Sequence, residues 1–157
     1  MSTDAKIIGA IAILTVAIFV GGILLVSRDN SSSVADEEIV ARNGLHWHPK
    51  LTITLKGEKQ EIPANLGIGA VHQKIHTHDA DAKDGVIHME MQGVVSKEDT
   101  KLANFFRIWG KEFNSNCIFD KCNGQDGTVK MTVNAQENQE FENYLMKDGD
   151  KIEIRYE

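Results

Sequence analysis

The chain has 157 residues, 41% of them hydrophobic and 25% charged, with a formal net charge of −6. An acidic balance without runs of Lys and Arg excludes a nucleic-acid-binding surface and an anionic-lipid patch. The same balance suits a protein that binds cations.

From Ile7 to Val26 the chain reads IIGAIAILTVAIFVGGILLV. These about twenty uncharged residues are enough to cross a hydrocarbon core of ~30 Å as a helix. No polar face recurs at helical spacing, no Ala-x-Ala cleavage site follows, and no cysteine lies nearby to carry lipid. Residues 1–28 are therefore expected to be a retained single-pass transmembrane anchor. Lys6 flanks one end and Arg28 the other, so charge counting barely orients it. A short N-terminus inside would put the bulk of the chain in a periplasm or outside the cell.

Residues 29–42 are polar, Ser-rich and acidic, and read as a linker lifting the domain off the bilayer. Residues 43–157 suffice for one compact extracytoplasmic domain.

Within that domain, His46 to Leu55 (HWHPKLTITL) alternates in its second half, with Pro49 confining its start to an edge or a bulge. Lys56-Gly57-Glu58 turns the chain into Lys59–Ile62. Lys74–His78 and Val86–Met91 read as two further strands, joined by the acidic loop Asp79–Gly85. Leu102, Phe105, Phe106 and Trp109 fall at i, i+3, i+4 and i+7, the core stripe of a helix. Ser96 or Thr100 is expected to cap its start and Gly110 its end. Thr128–Val133 and Lys151–Tyr156 alternate again. The expected fold is α+β: a small mixed sheet wrapped on one aromatic-striped helix. The stretch from Leu145 to Ile154 resembles the last strand of ubiquitin-like β-grasp domains.

All six histidines fall between His46 and His88, in His46-Trp47-His48, His72, His76-Thr77-His78 and His88. Side chains alternate along a strand, so His46 and His48 share a face, as do His76 and His78, and His88 and Glu90. Adjacent strands carrying such pairs gather imidazoles and a carboxylate into one coordination sphere. The candidate ligands are His46, His48, His76, His78, His88 and Glu90, with Asp79 as a ligand or outer partner. Imidazole and carboxylate suit zinc and copper. A ligating histidine passes its other N–H to an acceptor, which the acidic loop after His78 can supply. His72 reads as a lone surface histidine. Met89 and Met91 fall on the opposite face, as core residues or, were that face open, as thioether ligands for Cu(I). Trp47 alternates away from the histidines toward core or rim. Cys117 and Cys122 form either a small disulfide, which an extracytoplasmic setting favours, or a thiolate pair. The bland alternative for the histidines is a polar, pH-sensitive surface.

The ordered blocks HWHPKLTI, EIPANLGI, HTHD, GVIHMEM and NFFRIWGKEF resemble a group of membrane-anchored or exported bacterial and archaeal proteins. That resemblance supports the domain as a unit and implies no activity. The loop Ala80–Asp84 is longer than the connection the resemblance leads one to expect.

Three functional classes follow. The leading one is a membrane-tethered copper- or zinc-binding module for metal capture, delivery or sensing. The second is a His-ligated metalloenzyme with Glu90 as general base. The third is a β-grasp interaction domain whose partner is another membrane or exported protein. No cupin motif, His-Glu-x-x-His helix or phosphate-cradling glycine loop is present.

Overall fold

In the computed structural model, which describes residues 36–157, the alternating stretches become short strands and the aromatic stripe becomes a helix. In chain order these are β1 (Ile39–Ala41), β2 (Leu45–Trp47), β3 (Lys50–Leu55), β4 (Glu58–Gln60), β5 (Ile75–His76), β6 (His88–Met91), β7 (Val95–Ser96), α1 (Leu102–Trp109), β8 (Cys117–Ile118), β9 (Lys121–Cys122), β10 (Val129–Val133), β11 (Gln136–Glu137) and β12 (Lys151–Tyr156). The class is mixed α+β, as expected. The anchor read at 1–28 and the first half of the linker lie outside the described residues. Among the described residues no helix is long and apolar enough to cross a membrane.

The larger sheet has the order β11-β10-β12-β3-β4. Its centre is the parallel pair β12–β3, flanked by antiparallel neighbours. Alternation in β12 buries Ile152, Ile154 and Tyr156 and exposes the residues between them. In register, Ile152 faces Leu51 and Val133, and Ile154 faces Ile53 and Met131. These residues form one apolar cluster with Leu102, Phe105 and Phe106 of α1. Full burial of each aliphatic or aromatic side chain contributes roughly 1.5–3 kcal/mol. Two hairpin turns use left-handed backbone, Lys56-Gly57 between β3 and β4 and Asn134-Ala135 between β10 and β11.

Helix α1 ends as read, with Gly110 left-handed at φ 69° and its N–H returned to Phe106 and Arg107 carbonyls. Its start differs. Lys101 occupies the cap position without a side-chain hydrogen bond. The two expected capping residues are used one turn earlier: Ser96 Oγ donates to Asp99 Oδ2 at 2.7 Å and Thr100 Oγ1 to the Lys97 carbonyl at 2.9 Å. A short 3-10 turn, Glu98–Thr100, precedes the helix and consumes both.

Two further corrections concern boundaries. Ile39–Ala41, read as part of the linker, is strand β1 and pairs with β7. β1 therefore packs with the strands that follow it. His46–Leu55, read as one strand, is two. Pro49 has no N–H to continue a ladder, so the chain leaves one sheet after Trp47 and enters the other at Lys50. Cys117 and Cys122 are directly paired across the β8–β9 hairpin and form a disulfide, which removes the thiolate alternative.

Candidate metal centre

A three-stranded sheet, β2-β6-β5, brings five of the six histidines together. β6 is its central strand, with β2 and β5 antiparallel on either side. Register does the sorting. One face carries Trp47, Met89 and Ile75 in a row, with Leu45 and Met91 beside them. Met89 is fully buried, Met91 nearly so, and both belong to the core cluster. The opposite face therefore carries His46 directly across from Glu90, and His76 directly across from His88. His48 lies one residue beyond β2 and His78 two beyond β5, and both still turn to this face.

The loop 63–68 braces the β5 arm. Thr77, buried between His76 and His78, donates from Oγ1 to the Pro63 carbonyl at 2.8 Å and accepts from Leu66 N–H at 3.0 Å. Gly67, at φ +73°, passes so close that a Cβ there would lie 2.6 Å from the Ile75 carbonyl oxygen. The block EIPANLGI is thus a backing for His76.

Among the described residues, two sets of side chains could hold a metal ion. His76, His78, His88 and Glu90 each offer one ligand atom, all within 4.8 Å of one another, and His46, His48 and His88 do the same. His76 and His78 approach Nε2 to Nε2 at 3.2 Å. Two nitrogens on one tetrahedral ion, each bound at ~2.05 Å, stand about 3.3 Å apart. Glu90 Oε1 lies 3.1 Å from His46 Nε2 and 4.0 Å from His76 Nε2.

Orientation comes from outside the ligand sets. His76 Nδ1 is 3.1 Å from the Gln73 carbonyl, so it carries the proton and leaves the Nε2 lone pair facing His78. Burial holds the His76 imidazolium below the ordinary histidine value, assisted by the neighbouring His72 and His78; the Gln73 hydrogen bond and Glu90 act in the opposite sense. The net preference is for the neutral ring, the form that ligates. His88 Nε2 lies 2.9 Å from Asp81 Oδ2, a carboxylate–histidine pair of the kind that fixes a ligand's tautomer. His48 is steadied by its backbone N–H donating to Asp148 Oδ1 at 2.7 Å.

The expected residues do not all converge. Asp79 accepts from Asn65 Nδ2 at 2.8 Å and belongs to neither ligand set. The acceptor foreseen in the acidic loop is Asp81 instead. His72 is exposed, yet its ring stands edge-on to His76 with centroids 4.3 Å apart, so it is not isolated. A small cleft of about 290 Å³, lined by His72, Gln73, Lys74, His76, Glu90 and Gln92, opens beside His76 and Glu90. No family model, curated protein or solved structure matches this chain.

Proposed function

We propose that the domain is a copper- or zinc-binding module, tethered to a membrane by Ile7–Val26 and working on its extracytoplasmic side in metal capture, delivery or sensing. The observation that carries this reading is the convergence of His76, His78, His88 and Glu90 within 4.8 Å. Donor chemistry narrows the ion. Both cysteines are in a disulfide and both nearby methionines are in the core, leaving only nitrogen and oxygen. That set favours Zn(II) or Cu(II) over Cu(I). Asp81 Oδ1 is buried without a donor among the described residues, and a cation held by His88 would answer that demand for positive charge.

The enzyme reading is weaker because Glu90 stands among the ligands rather than apart from them as a base. A cleft of about 290 Å³ is also at the lower limit for substrate pockets. The order β11-β10-β12-β3-β4, with its parallel centre and helical crossover, supports describing the larger sheet as a β-grasp. Such a sheet could dock another membrane or exported protein.

Calorimetric titration of Cu(II) and Zn(II) tests the reading. The parent should bind tightly, and His76→Ala/His78→Ala should bind far more weakly. Equal affinities for parent and variant would refute it. Protease accessibility of the domain in intact cells tests the orientation.

A further inference from the structure

The two ligand sets overlap at a single residue. His88 belongs to both, and its ring centroid lies 4.8 Å from that of His48 and 4.6 Å from that of His78. Its Nε2 is engaged by Asp81 Oδ2 at 2.9 Å, so Nδ1 supplies the one lone pair it can give. A neutral imidazole with one lone pair ligates one ion. Serving two ions at once would require the ring to surrender the proton it shares with Asp81. Without His88 the outer set (His46, His48, His88) falls to two imidazoles, and the inner one (His76, His78, His88, Glu90) loses a ligand from its four.

Exposure differs among the imidazoles. Those of His46 and His48 are 60% and 42% exposed and that of His76 is 0% exposed, while the shared His88 is 13% and Glu90 of the inner set 45% exposed. An ion arriving from solvent meets the outer imidazoles, and Glu90 beside His46, before it reaches the ring of His76. The inner set offers a fourth ligand and a carboxylate charge, so it holds the ion more firmly. Glu90 Oε1, between His46 and His76, can follow the ion across.

We propose that these residues form a two-station site for one ion. The ion is captured on His46, His48 and His88 and retained on His76, His78, His88 and Glu90, with His88 exchanged between the stations. Ligand-by-ligand exchange over a few ångströms spares the ion a bare intermediate in either direction. The outer station is then both entrance and exit. This rests on the metal-binding reading above.

The test uses the full chain in detergent, equilibrium dialysis against Cu(II), and stopped-flow tryptophan fluorescence for uptake and for withdrawal by a chelator. The parent should hold one tight equivalent. His46→Ala/His48→Ala should still hold one equivalent on the inner station, with both uptake and withdrawal slowed. His76→Ala/His78→Ala should keep one equivalent, weakened by about 100-fold or more. Adding His88→Ala should remove it. Should the buried His76 replacement fail to fold, His78→Ala at a half-buried position removes a ligand of the inner set only and serves instead. Two tight equivalents in the parent, or undiminished uptake rates in His46→Ala/His48→Ala, would overturn the two-station scheme while leaving metal binding intact. No binding in the inner-station variants would do the same. A parent that binds no ion would overturn both readings.

Discussion

His76 and His78 face each other Nε2 to Nε2 at 3.2 Å, although only His76 lies within a strand. Thr77 makes this approach possible by turning inward to hold the Pro63–Leu66 loop while its neighbours turn outward. The backing loop is therefore as much a part of the centre as the rings. Gly67→Ala should push on the Ile75 carbonyl and displace β5. Cu(II) or Zn(II) affinity should fall in this variant even though it alters no ligand. Retained affinity in a titration of the folded variant would show that the loop does not position His76.

Asp81 and Asp79 separate the orienting role from mere acidity. Asp81→Ala removes the acceptor for His88 and should lower metal affinity by about 10–100-fold. Asp79→Ala breaks a contact with Asn65 outside both ligand sets and should leave affinity unchanged. Competition with a chromophoric chelator measures both. Equal losses would mean that the loop acts only through its net charge.

Acid should act on the metal-free domain through His76. Burial lowers its folded value below the ordinary ~6.5, so the unfolded chain binds more protons in the interval between the two values. Stability from this group is complete above the unfolded value and is lost as pH falls through the folded one. His76→Gln should therefore flatten the drop in unfolding free energy below about pH 6.5. Denaturation at several pH values checks this, and an unchanged slope would contradict it. Metal affinity should fall over the same acidic range, because protonated imidazoles cannot ligate.

The domain boundary is also testable. A fragment beginning at Ala35 retains β1, its pairing with β7 and the Lys97 N–H to Glu38 carbonyl bond of 2.8 Å. One beginning at Arg42 loses them and should be less stable by roughly 1–3 kcal/mol. Urea denaturation of the two fragments decides it, and identical midpoints would return β1 to the linker.

What could be read from the sequence divides along physical lines. Period-two alternation is local, so it put Met89 and Met91 opposite His88 and Glu90 and marked the buried face of β12. The helical stripe Leu102–Trp109 was legible for the same reason. Pairing between distant segments was not: nothing local says that His46 lands opposite Glu90, or that Pro49 hands the chain from one sheet to another. Asp81 and His72 reach the centre from non-repeating backbone, where spacing carries no rule for direction. Ile39–Ala41 was hidden because three residues are too few to show a period beside an acidic stretch.

Ligation of a metal ion by histidines of the β2-β6-β5 sheet can be read by X-ray absorption at the metal edge of the Cu(II)- or Zn(II)-loaded protein. The expected spectrum has nitrogen and oxygen neighbours at about 2.0–2.2 Å, with outer-shell scattering from imidazole rings and no sulfur. A first shell containing sulfur at about 2.3 Å, or one without imidazole scattering, would contradict it.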